Sequence, residues 1–311
     1  MFLQRTIRSE ISCRGVGLHT GRKISMTLRP AAAGEGIVFV RKDLPSDRNC
    51  VRASLENVRD TMLATTIGAN GTLVATVEHL LSALGGMGVD NALIELDGPE
   101  VPIMDGSALP FVKMLKDVGT SIQGRSKKLL LVKEPVTVSN NDGFAKLLPA
   151  SELKISCRID FPHRFIGVQP YQLTFSDVTY EHEICSARTF GFLKDVEYLQ
   201  AQGLALGGSL QNVVVLDEDR IINKEGLRSP DEFVKHKILD VIGDLSLLGM
   251  PIIAHFVAYK PGHHLNIMLA RELIARKECW EVLDHLVGEG ELSERQPLNV
   301  PTFRTLDACP A

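Results

Sequence analysis

The stretch FVKHKILDVIGDL, residues 233–245, carries His236, Asp240 and Asp244 at four-residue spacing. On a helix these three side chains share one face, each a turn from the next. Phe233, Val234, Ile238, Leu239, Val241, Ile242 and Leu245 surround the same helix instead of forming one stripe, so its polar face is short of water. A carboxylate buried without a partner is costly enough to shift its pKa until it neutralises. Metal coordination is one answer, because neutral imidazole and carboxylate are ordinary zinc ligands and i, i+4 spacing lets both reach one ion. A pair satisfied by hydrogen bonds or by a lysine is the other. Gly243, near that face, reads as space for something bulkier than a side chain.

A second helix adds to the constellation. In VEHLLSAL, residues 77–84, Thr76 is a candidate cap, which puts Glu78 and His79 in the first turn, away from Leu80, Leu81 and Leu84. If the two helices pack face to face, His79, His236 and Asp240 supply three N/O ligands and leave a fourth position for water, the pattern of a catalytic zinc site. Glu78 points about 100° from His79 and is placed to take a proton from that water; a first-turn carboxylate favoured by the helix dipole is the plainer reading. His263 and His264 sit in KPGHHLN, residues 260–266, where either is a candidate general acid held protonated by Asp244, or a surface loop residue. His163, His182, His255 and His285 show no partner pattern.

The elements that position these residues occur twice. The first half reads as a helix at 77–84, a strand NALIEL at 91–96, a loop VPIMDGSA at 101–108 and a helix LPFVKMLKDV at 109–118. The second reads as a helix from 234, a strand PIIAHFVAY at 251–259, the KPGHHLN loop and a helix IMLARELIAR at 267–276. An offset of 157 residues places His79 on His236 and carries Asp105 to Gly262, beside His263. Each half opens with β-rich sequence: GRKISMTLRPA and GIVFVRKDL, then KKLLLVKEPVTVS and ELKISCRIDF. The polar TSIQGRSKK, residues 120–128, reads as a linker. The expected fold is α+β, with two similar domains at 1–122 and 128–285. Each is a β-sheet packed with helices in a two-layer sandwich, with the chemistry at their interface. Residues 191–223 read as an insertion of helix, Gly-rich turn and strand in the second domain, and the tail 286–311 gives no structural reading.

Composition narrows the function classes. Of 311 residues, 44% are hydrophobic and 23% charged, as in a soluble globular protein. The net charge of −4, with signs interspersed, gives no footprint for nucleic acid. The N-terminal MFLQRTIRSEIS lacks an apolar signal core, and no run reaches a membrane span. The six cysteines form no Cys-x-x-Cys pair, which implies reduced thiols and a cytoplasmic setting.

Longer motifs carry a family resemblance. GVGLHTG (15–21), TVEHLLSALGGMGVDN (76–91), EVPIMDGSA (100–108), ARTFGF (187–192), LALGGS (204–209) and DEFVKHKILDVIGDL (231–245) are similar to the UDP-3-O-acyl-N-acetylglucosamine deacetylases. These are zinc amidohydrolases of lipid A, and hence lipopolysaccharide, synthesis in Gram-negative bacteria. The resemblance runs from about residue 4 to about residue 280. It implies Zn2+ bound by His79, His236 and Asp240, with Glu78 as general base and His263 as general acid or electrostatic stabiliser. Asp244 would orient His263. Thr189 would help bind the oxyanion, Phe190 and Lys237 would contact substrate, and Leu193, Val196, Ala205 and Val213 would line a passage for the acyl chain.

Gly262-His263-His264-Leu265-Asn266-Ile267 departs from the family pattern of a single His before a small residue; the His directly after Gly is the better match. The resemblance implies a UDP-linked acylated glucosamine substrate, a monomer, no nucleic acid partner and at most peripheral membrane contact. The rival functions are a zinc amidohydrolase acting on another acylated amide, and a non-catalytic nucleotide-sugar or lipid-binding protein.

Overall fold

A computed structural model describes residues 3–284. The fold is α+β, built on two five-stranded mixed sheets with the same internal order. In the first, Ile11–Val16, Lys23–Pro30, Ala92–Leu96, Ile37–Arg41 and Cys50–Arg52 lie side by side. In the second, Val136–Ser139, Phe144–Leu148, His255–Tyr259, Lys154–Phe161 and Gly167–Thr174 do so. Both sheets have one parallel pair, made by the third and fourth strands in that order, and all other neighbours are antiparallel. In both, the central strand follows a long buried helix and precedes a second helix. The first half uses Glu78–Gly86 and Leu109–Val118; the second uses Glu232–Ser246 and His263–Ala275.

The Glu78–Gly86 and Glu232–Ser246 helices pack directly on each other. All seven apolar residues that surround the second of these are buried, which explains why they form no stripe: one side meets the partner helix and another meets the strands Lys154–Phe161 and Gly167–Thr174. Gly243 sits at the closest approach of the two helices. A Cβ there would lie 2.1 Å from the Glu78 carbonyl oxygen, so the space expected for a ligand is filled by the backbone of the other helix. Gly243→Ala should therefore push the helices apart and destabilise the fold by about 1–3 kcal/mol. A urea-unfolding midpoint equal to the parent's would contradict this.

Three further expectations are corrected. The polar segment at 120–128 is no loose linker: Thr120–Ser126 is a strand, paired antiparallel with Leu3–Ile7. Its polarity reports the exposure of its side chains, while its backbone is satisfied by a partner more than a hundred residues earlier. PIIAHFVAY divides into two strands, Ile252–Ile253 beside Lys128–Val132 and His255–Tyr259 within the five-stranded sheet. KPGHHLN is only half loop, since Gly262 caps a helix that opens at His263. The insertion follows the expected order, with the helix Leu193–Ala201 and the strand Val214–Leu216, but also uses Phe190–Phe192 as a parallel partner for that strand.

Among the described residues no helix is long and apolar enough to cross a membrane, and the five described cysteines are free. His285 and the 286–311 tail lie outside the described residues.

Candidate active site

Where the two long helices cross, His79, His236 and Asp240 converge. All three are buried, and their ligand atoms lie within 4.8 Å of one another. His79 Nε2 is 3.7 Å and His236 Nε2 3.4 Å from Asp240 Oδ1, too loose for hydrogen bonds of ordinary strength. Asp240 Oδ1 is buried and has no hydrogen-bond donor among the described residues. Two imidazole nitrogens facing an unsatisfied carboxylate oxygen is the donor set that a tetrahedral divalent cation completes.

The electrostatics agree. Burial pushes His79 down to about 3, with the His236 ring adding to the effect, and burial also lowers His236. Both rings are therefore neutral at pH 7 and have lone pairs to donate. His236 Nδ1 lies 3.1 Å from the Ala187 carbonyl and donates its proton there, which leaves Nε2 as the free donor atom. Burial alone would raise Asp240, yet the His236 ring, Lys237 and His263 hold it well below the usual carboxylate range. Lys237 Nζ donates to the other oxygen, Oδ2, at 2.8 Å.

Beside this group lies an acid–base pair. Glu78 accepts a hydrogen bond from the Thr65 amide at 3.0 Å, and its Oε1 is 3.7 Å from His263 Nε2. His263 Nδ1 donates to Asp244 Oδ2 at 2.9 Å. Asn266 donates to the same oxygen, and the Thr65 hydroxyl donates to Oδ1 at 2.6 Å. Burial raises Glu78 to about 7; Asp244 and Asp240 add to the rise and His263 opposes it. Burial would depress His263, but the Asp244 and Glu78 carboxylates outweigh it and lift the ring to about 10. One residue is thus poised to accept a proton near neutral pH and its neighbour is held charged. His264, the rival in sequence, is exposed and faces Thr61 at 3.5 Å.

Comparison with known proteins shows the family of the chain. Residues 4–275 match the family model of UDP-3-O-acyl N-acetylglycosamine deacetylase (LpxC). The chain belongs to the UDP-3-O-acyl N-acetylglycosamine deacetylase family. A protein named UDP-3-O-acyl-N-acetylglucosamine deacetylase from Syntrophus aciditrophicus is 62% identical over 286 residues, covering 92% of this chain and 90% of its own. Proteins of the same name from Myxococcus xanthus and Geotalea uraniireducens are 52% and 44% identical, covering 90% and 99% of this chain and 89% and 100% of their own.

Of the remaining residues singled out in this deacetylase-family chain, Phe190 reaches the helix crossing. Thr189 is half-buried, its backbone bonded to Gly106 and Val214 and its hydroxyl without a hydrogen-bond partner among the described residues. The Phe190 ring packs on Phe233 at 5.0 Å and reaches the His236 ring at 6.3 Å, with Lys237 Nζ 5.5 Å from its centroid. In the insertion Leu193 is 44% exposed, while Val196, Ala205 and Val213 are half-buried. Asp105, brought toward His263 by the repeat offset, is instead hydrogen-bonded to Ser107 and Arg228.

Thr76 does not cap the Glu78–Gly86 helix. Its φ is 56°, Val77 takes the cap position, and the Thr76 hydroxyl donates to the buried Glu100 at 2.9 Å. Glu100 also accepts from the amides of His19 and Thr20 and from the Thr20 hydroxyl. This fixes the GVGLHTG turn against the insertion, where Leu206 and Gly207 donate their amides to the His19 and Leu18 carbonyls. Thr65, which donates to Glu78 and Asp244, is a site residue that pattern reasoning missed, and His19 lies near enough to His263 to feel its charge. His19 Nε2 is buried with no hydrogen-bond partner among the described residues, and burial lowers its pKa, opposed by Glu100. The His within the glycine-rich GVGLHTG motif is the available signal; Thr65 offers none.

Proposed function

We propose that this chain is a zinc-dependent hydrolase that removes the N-acetyl group from UDP-3-O-(3-hydroxyacyl)-N-acetylglucosamine, releasing acetate and the free amine in lipid A biosynthesis. The observation that carries this reading is the unsatisfied Asp240 oxygen facing two neutral imidazoles, with an elevated Glu78 and a charged His263 alongside. His79 Nε2, His236 Nε2 and Asp240 Oδ1 would hold the ion, which when bound supplies Lewis acidity at the reacting oxygen atoms.

The chain's own groups account for the proton movements. Glu78 accepts a proton from the water that attacks the acetamide carbon. The charge growing on the carbonyl oxygen is met by the Thr189 hydroxyl and by the positive His263 ring. His263 then gives a proton to the glucosamine nitrogen as the C–N bond breaks, and Asp244 stabilises its charged form until that moment. Lys237 meets the polar part of the substrate and Phe190 its sugar. Leu193, Val196, Ala205 and Val213 line the acyl passage, which fits a substrate carrying an apolar chain.

The same reading divides the chain into an α+β sandwich domain at 1–122 and a second at 128–285, with the chemistry between them. It takes the protein to be a cytoplasmic monomer whose membrane contact is at most peripheral. The test is acetate release from the UDP-linked substrate before chelation, after verified metal removal and after zinc is restored. Loss and recovery of turnover are expected. Turnover that survives verified zinc removal contradicts the mechanism, and no turnover with zinc present contradicts the substrate.

A further inference from the structure

The polar seam on the Glu232–Ser246 helix extends one turn before His236, to Glu232, so Glu232, His236, Asp240 and Asp244 form one continuous row. Glu232 is 0% exposed, yet its two oxygens receive four donors. The Arg188 amide and Nε reach Oε1 at 3.0 and 2.8 Å; Arg188 Nη2 and the Arg228 amide reach Oε2 at 3.2 and 2.6 Å. Arg188 is itself 4% exposed, and its guanidinium also binds the Gly226 carbonyl at 2.7 Å.

A buried ion pair of this kind is a weak source of stability, because well-packed apolar residues serve as well or better. Its geometry suggests another use. Arg188 lies between Ala187, whose carbonyl receives the His236 Nδ1 proton, and Thr189, whose hydroxyl has no partner among the described residues. Phe190, next in the chain, packs near the His236 ring. The clamp therefore joins the start of the helix that carries His236 to the segment that orients the His236 ring from behind.

We propose that Glu232 and Arg188 are positioning residues: they hold the Ala187 carbonyl on His236 Nδ1, aim His236 Nε2 at Asp240, and keep Thr189 in the same site. This rests on His236 being a zinc ligand. Partners that orient a ligating histidine from behind change metal affinity or activity by roughly 10–100-fold when removed.

The test compares the parent, Glu232→Gln and Arg188→Lys by zinc affinity in chelator competition, by the visible absorption of the cobalt-loaded proteins, and by kcat and KM. Glu232→Gln should bind zinc roughly 10–100-fold more weakly and show an altered cobalt spectrum. Its kcat should fall while KM stays near the parent value. Arg188→Lys, which keeps the charge but not the planar fork, should fall between the two, and it carries the comparison if Glu232→Gln does not fold. Parent zinc affinity, cobalt spectrum and kcat in the variants, with only a lowered unfolding midpoint, would overturn the proposal. Zinc binding that survives both His79→Ala and Asp240→Ala would instead overturn the metal site, and the clamp's role with it.

Discussion

Glu78→Gln should lower kcat by about 10²–10⁴-fold while leaving zinc binding intact. The size follows from the role proposed for it as general base: beside the candidate ligand group, burial lifts this carboxylate to about 7, so it can accept a proton in neutral water and still be ionised in part. A divalent cation nearby would favour the ionised form further. Glutamine keeps the shape and can still accept from the Thr65 amide, but it cannot take a proton. The separation from the metal is the sharp part of this expectation. Glu78 is the immediate neighbour of His79, yet its oxygens turn to Thr65 and His263 and not to the ligand group. Zinc content by elemental analysis, with steady-state acetate release, checks both halves. A variant that loses its zinc would merge the base with the ligands and sink the division of labour.

His263→Ala should cost a comparable factor of about 10²–10⁴ in kcat, and on the proposed mechanism Asp244 should set the pH over which His263 works. In the folded chain the ring is raised from 6.5 to about 10, so it is charged throughout the neutral range. Activity that needs the charged ring therefore holds below pH 10 and fails as pH rises through it. The same charge makes a folding contribution that is complete below pH 6.5 and fades between 6.5 and about 10. Asp244→Asn removes the largest upward influence on the ring. The alkaline limb of kcat/KM should then move toward neutral pH, and urea-unfolding midpoints measured against pH should lose the alkaline decline. An unchanged alkaline limb in Asp244→Asn would show that another group sets it.

Much of this site is written in periodicity. His236, Asp240 and Asp244 recur every four residues in an otherwise largely apolar segment, and a helix offers only one way to place them. The repeat offset then brings His79 into the group. Contacts made through backbone amides and hydroxyls leave no such trace. Thr65 meets Glu78 and Asp244 across 13 and 179 residues, by an amide and a hydroxyl whose partners no spacing rule names. Thr76 has the chemistry of a cap but is drawn into a left-handed conformation by the deeper demand of Glu100 for donors. The segment 120–126 shows the converse for the fold: polar residues on an exposed strand look like a loop until the distant partner that pairs with them is known.

The approach of Gly243 to the Glu78 backbone has a consequence for the order in which the molecule is built. His79 and His236 are 157 residues apart, and bringing chain ends that distant together costs entropy that grows with the logarithm of the loop. Here apolar packing of two helices, drawn tight at a glycine, closes that loop. On the proposed ligand set, three donor atoms would then be presented by helices already packed together, and an ion entering there would have little chain left to order. Zinc occupancy would thus follow the docking of the two halves and serve as a reporter of it.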